Sequence, residues 1–346
     1  MNGPRIRVAH ASGDPPRAPR AWIARCLIAV VAWTCVAPAA AQAPAAGRTY
    51  RVAWLVSGSP ADDASFQDAT RAALRDLGYV EGANLQLEAR YANGDSSRLP
   101  ALAAELVARK PDVIIAGATP GTLAAARATA TIPIVMIGVA DPVGAGFVDD
   151  LARPGRNVTG IANLGVDTAG KPLEMLREAL PKATRIAVLT SDNPGALAVA
   201  QAAREAFRAQ RLDVRTTAVA GVQDLDRAVA AIKEARADGV VVVADGLLIA
   251  HRERLARLLL EARLPSAATY AALADAGVLM SVGPNPRNLH RSVARYVDRI
   301  LKGTPPSALA VELPTEFTVA VNLRTARALN LTLPQSLLLR ADRVIE

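Results

Sequence analysis

The chain has 346 residues, of which 51% are hydrophobic and only 3% aromatic, and its formal charge is +8. That length suits two domains of ordinary size or one large one, and the apolar content excludes a disordered chain. The basic excess is uneven and contains no Lys/Arg block, which argues against nucleic acid as the main partner.

In chain order, Arg17, Arg20 and Arg25 come first, followed by an apolar run from Cys26 to Val36 and then Pro38-Ala39-Ala40-Ala41-Gln42-Ala43. A basic start, a short apolar run and small residues at −3 and −1 predict a signal peptide over 1–41, cleaved after Ala41, and hence an exported protein. The run is too short to span a bilayer, which takes about 20 residues, so the mature protein is not expected to cross the membrane. An N-terminal anchor is the alternative. Cleavage would remove five Arg and one Asp, leaving 35 basic against 31 acidic residues, a net charge of +4. Both cysteines, Cys26 and Cys35, lie in this segment, so no disulfide and no cysteine metal site are expected in the mature chain.

After a short Pro/Ala stretch (42–47), strand and helix patterns alternate. Arg51 to Ser57 reads as a buried strand, and a helix face follows through Phe66, Thr70, Ala73, Leu74 and Leu77, with Gly78 as its stop. Leu85 to Ala89 alternates as a strand. Leu99, Leu102, Ala103, Leu106 and Val107 mark a helix, and Val113 to Gly117 a third strand. A short helix begins near Pro120, and Ile134 to Val139 is a strand that stops at Asp141-Pro142. From Arg185 the order recurs: a strand to Ser191, a helix through Leu197 and Phe207, a strand at Asp213 to Thr217, a helix through Leu225 and Ile232, and a strand at Gly239 to Val243. The same βαβαβ order thus occurs twice, about 130 residues apart. Fully apolar strands between amphipathic helices need both faces covered, which predicts an α/β protein of two similar Rossmann-like lobes with parallel sheets. A strand near Val278, a helix from about Asn288 to Leu301 and a strand at Phe317 to Val321 complete the lobes. If the chain crosses near Val158, Val278 and Val311, the lobes are 49–160 plus 279–305 and 161–278 plus 306–346, joined by hinge crossovers.

The chain resembles the ABC-transporter substrate-binding protein family with the type I periplasmic-binding fold, some of whose members are linked to tryptophan, tyrosine or other amino acids. The matching segments include Gly78-Tyr79-Val80-Glu81-Gly82, Gly117-Ala118-Thr119-Pro120, Asp141-Pro142-Val143, Arg153-Pro154-Gly155-Arg156-Asn157-Val158-Thr159-Gly160, Leu180-Pro181-Lys182 and the tail from Pro334. Their order spans nearly all of the chain after residue 41. The resemblance implies a small-molecule ligand, a permease with its ATPase as partners, and closure of two lobes.

In open parallel sheets, ligands bind beyond the carboxyl ends of the strands. The sequence places Ser57, Gly117, Thr119 and Asp141 there in the first lobe, and Ser191, Asn193, Asp245 and, on a later turn, Tyr270 in the second. A helix start at Thr119 can hold a carboxylate on free N–H groups, and Asp141 and Asp245 can face an ammonium. Each has a plainer role too: Asp-Pro begins many turns, and Ser57 and Ser191 suit caps. No phosphate loop, nucleophile elbow or ligand-spaced histidine pair occurs, so no cofactor, metal or catalytic residue is expected. A ligand-sensing module and, further off, an exported enzyme are the rival readings.

Overall fold

The structure is a computed structural model describing residues 47–162 and 170–346. The expected signal peptide lies outside these residues.

The first half runs β1 (Tyr50–Val56), α1 (Pro60–Asp76), β2 (Leu85–Tyr91), α2 (Leu99–Ala108), β3 (Val113–Gly117), α3 (Ala118–Ala128), β4 (Ile134–Val139) and β5 (Val158–Ala162). They form a parallel five-stranded sheet in the order β2-β1-β3-β4-β5. Its central strands are apolar on both faces because each face is covered. Trp54, Ile115 and Val135 join a core with Leu74 of α1, while Leu55, Ile114 and Met136 join another with Leu99 and Leu106 of α2.

The second half opens with α4 (Gly170–Ala179), β6 (Arg185–Ser191), α5 (Pro194–Ala209), β7 (Asp213–Val219), α6 (Leu225–Glu234), β8 (Gly239–Val242) and α7 (Gly246–Ala250). It continues with α8 (Arg252–Glu261), β9 (Ser266–Ala268), α9 (Ala271–Ala276), β10 (Met280–Pro284) and α10 (Pro286–Leu301). It closes with β11 (Phe317–Asn322), α11 (Leu323–Ala328), α12 (Gln335–Arg340) and β12 (Arg343–Ile345). The seven-stranded sheet has the order β12-β11-β10-β9-β8-β6-β7, with only the β10–β11 pair antiparallel.

The internal repeat extends to hydrogen bonds. Asp112, just before β3, accepts from the Arg51 N–H at 2.8 Å. Asp238, just before β8, accepts from the N–H groups of Thr184 and Arg185, both at 2.9 Å. Each aspartate ties the start of its lobe's first strand to the third. Two residues earlier, Lys110 and Arg236 share the same left-handed turn, at φ 50° and 54°.

The lobe boundaries differ from the sequence expectation. β10 pairs with β9 and β11, so 279–284 belongs to the second sheet and not to the first lobe. An apolar strand carries no mark of which sheet it will join, and its neighbours decide. The chain passes to the first lobe only at Asn285, where α10 lies against α1. There the buried Tyr79 hydroxyl donates to Asp298 at 3.0 Å, and Phe66 meets His290 with ring centroids 3.9 Å apart. Burial pulls the His290 imidazole down to about 4. Residues 309–312 stay with the first lobe: the Glu312 N–H donates to the Gly160 carbonyl at 2.9 Å and Val311 is buried in that core. The return passage lies beside the outward one, the Asn285 N–H donating to the Glu316 carbonyl at 3.0 Å. The residues between β5 and α4, 163–169, lie outside the described residues.

Candidate functional site

A pocket opens between the carboxyl edges of the two sheets. The first lobe supplies Ala118 and Thr119 from the start of α3, and Gly138 and Ala140 from the end of β4. The second supplies the start of α5 (Asn193, Gly195, Ala196, Val199) and the strand ends at Val243 to Asp245, Thr269 and Val282 to Pro284. This is where an open α/β sheet places a ligand.

On the first-lobe side, Gly117 ends β3 and stands as the N-cap of α3 with φ −85°, making no side-chain cap bond. The next residue, Ala118, has φ 55°, a left-handed conformation costly for a residue with a Cβ. The first N–H groups of a helix have no partner within the helix, so this end faces the pocket with donors and the positive end of the helix dipole.

On the second-lobe side the polar groups satisfy one another. Asp245 caps α7, its Oδ1 accepting from the N–H groups of Leu247 and Leu248, both at 3.1 Å. Its Oδ2 accepts from the Ser191 hydroxyl and from Asn193 Nδ2, the latter at 2.7 Å. Asn193 caps α5, its Oδ1 accepting from Gly195 and Ala196 at 2.9 and 3.2 Å. Thr269 Oγ1 accepts from the Ala244 N–H at 3.0 Å, leaving its hydroxyl proton to donate.

The lobes touch across this cleft. A Cβ built on Gly195 would stand 2.4 Å from Thr119 Oγ1, and one on Gly246 would stand 2.8 Å from the Ser57 Cβ. A third close approach sets Gly94 against His251, where a Cβ would lie 3.3 Å from Nε2. Ala140 of the first lobe packs against the apolar core of the second.

Thr119, Asn193 and Asp245 among the sequence-derived candidates line the pocket. Ser191 is buried behind Asp245 and positions it. Ser57 sits at the seam, its hydroxyl donating to the Gly117 carbonyl at 3.3 Å. Asp141 stands apart from these. It is exposed, lies outside the lining, and accepts from the Gly144 N–H at 2.8 Å, so the Asp-Pro turn uses it. Tyr270 is also outside the lining. It is half-buried against the second-lobe core, and burial pushes its phenol up, with the Asp63 carboxylate adding and Arg252 opposing. Residues missed from sequence include Gly138, Thr269 and the apolar Val199, Val243 and Val282. The valines carry the same apolar signal as any core position, and only their place at the sheet edge distinguishes them.

Among the described residues no group of His, Cys, Asp and Glu is arranged to hold a metal, and no helix is long and apolar enough to cross a membrane.

Residues 51–345 match the family model described as ABC transporter substrate binding protein. A tyrosine-binding protein of Clostridioides difficile (strain R20291) is 28% identical over 262 residues, covering 75% of this chain and 74% of the relative. Among solved structures, a conserved domain protein of Vibrio cholerae is 27% identical, covers 86% of this chain and 100% of its own, and has a TM-score of 0.81. An ABC domain from Streptococcus pneumonia in complex with L-Trp is 23% identical over the same shares, with a TM-score of 0.79.

Proposed function

This chain belongs to the ABC transporter substrate-binding protein family, and from that premise we propose that it captures an amino acid between its lobes and presents it to an ABC permease. The observation that carries the reading is the polarity of the cleft. One wall holds the uncapped start of α3 beside Thr119, and the other holds the Asp245 carboxylate. A zwitterion laid across it meets donors and a positive helix end at its carboxylate and a fixed negative charge at its ammonium. Asp245 already accepts from four donors, so it acts on the ammonium through its charge and not through a further hydrogen bond. The tyrosine-binding relative and the neighbour holding L-Trp support an amino-acid ligand.

The protein works without chemistry on its ligand. Lobe-to-lobe contacts at Thr119–Gly195 and Ser57–Gly246 belong to the closed form, and a ligand touching both walls favours that form by its differential affinity. Residues 1–41 direct export, which places the mature chain in the periplasm, where the permease reads the closed form.

A thermal-shift panel of amino acids, small carboxylates, sugars and nucleosides tests this. A ligand at a hundred times its Kd stabilises the native state by about 2.7 kcal/mol. The expected outcome is a raised Tm with amino acids alone. A shift with sugars or nucleosides and none with amino acids would overturn the ligand class while leaving the family standing.

A further inference from the structure

We propose that this cleft selects an amino acid with a short aliphatic side chain, of the size of valine or leucine, over an aromatic one. The inference rests on the amino-acid reading above and concerns the part of the pocket that reading leaves unused. Beside the polar groups runs an apolar wall. Val199, Val243 and Val282 are 4%, 3% and 7% exposed and belong to one continuous core. Ala196 and Pro284 extend the wall, and Ala140 faces it from the other lobe. None of the described residues lining the pocket is aromatic or basic.

Three features make the wall selective for size. The space left for the centre of a water molecule is about 60 Å³. The ligand's backbone groups share that space, which leaves a confined volume for its side chain. Valine side chains are stiff at χ1, and these are packed into a core, so they do not swing aside for a ring. Finally, the seam contacts at Gly195 and Gly246 leave no slack for a wider cleft while the lobes stay closed. A phenol or indole would hold the lobes apart.

Isothermal titration of the purified protein with L-valine, L-leucine, L-isoleucine, L-phenylalanine, L-tyrosine and L-tryptophan reads the selectivity directly. Pocket discrimination of this kind changes affinity by about 10-fold or more, so the aliphatic set is expected to bind at least about tenfold tighter than the aromatic set. Tyrosine or tryptophan binding as tightly as leucine would overturn the inference and leave the amino-acid reading intact. Binding of a sugar or nucleoside with no amino acid bound would overturn both. The variant V243A/V282A enlarges the wall and is expected to move the leucine-to-phenylalanine affinity ratio about tenfold toward phenylalanine. A folded variant with an unchanged ratio also overturns the inference. Should the variant not fold, the ranking in the natural chain still decides.

Discussion

The two lobes repeat the same strand order, yet their third strands end in opposite ways. β8 runs into Asp245, whose carboxylate caps α7 and gathers Ser191 and Asn193. β3 runs into Gly117, which caps nothing with a side chain, and α3 starts bare. Both helix ends carry the same unpartnered N–H groups by construction. The second lobe satisfies them from within, and the first keeps them for the cleft. The repeat therefore supplies the scaffold, and the break in the repeat marks the site. One wall is completed from within, and the other presents backbone donors that, under the proposed function, a ligand would complete.

The largest effect is expected where the finished wall is broken. Asp245→Ala removes the acceptor for two backbone N–H groups, a buried serine and Asn193 Nδ2. Leaving such groups unmet is expected to cost about 2–4 kcal/mol in urea unfolding. Asp141→Ala removes one turn bond at an exposed site and is expected to cost under about 1 kcal/mol, with ligand affinity unchanged. Equal losses for the two aspartates would mean that Asp245 is no more structural than the exposed turn aspartate of the other lobe.

A smaller effect separates closure from folding. Gly195 lies in the first turn of α5, where alanine is a better helix former by up to about 1 kcal/mol, yet an added Cβ runs into Thr119 of the other lobe. Gly195→Ala is expected to leave unliganded stability unchanged or raised while ligand affinity drops about tenfold, or about 1.4 kcal/mol. A double-mutant cycle with Thr119→Ala locates the clash: coupling between the two substitutions is expected because they touch only when the lobes meet. Additive losses would place the effect elsewhere than the seam.

Much of this architecture was legible in the sequence because apolar runs and helical spacing report burial directly. Arg51 to Ser57 and Arg185 to Ser191 announce the repeat, and Asp112 and Asp238 hold corresponding places in it. The crossover was not legible. Met280 to Pro284 is apolar in either lobe, and only its pairing with the three-residue β9 assigns it to the second sheet. Asp141 and Asp245 both follow buried strands, and sequence could not rank them. Asp141 has a glycine three residues on whose N–H it takes up locally, whereas Asp245 draws donors from 54 residues away. Such long-range partners leave no local pattern. The valine wall was hidden for the opposite reason, since its residues look like ordinary core.

The smallest effect tests the bare helix end itself. Ala118 and Gly246 occupy matching places, each directly after its helix's N-cap. The alanine stands at φ 55°, where glycine would be at ease, and the glycine stands where φ makes no such demand. At Gly246 the reason is space, because Ser57 of the other lobe leaves no room for a Cβ. At Ala118 no such reason applies, and the strain, about 1–2 kcal/mol for a left-handed residue with a Cβ, is held at the mouth of the pocket. Ala118→Gly relieves that strain but adds backbone freedom to the unfolded chain, so the net gain in Tm-derived stability is expected to be under about 1 kcal/mol. If the left-handed residue serves to aim the α3 donors at the ligand, the same substitution weakens binding, because a glycine there is no longer held to one conformation before the lobes close. Stability raised with affinity lowered supports a strained end kept for recognition, and stability raised with affinity unchanged makes Ala118 a structural accident of the turn.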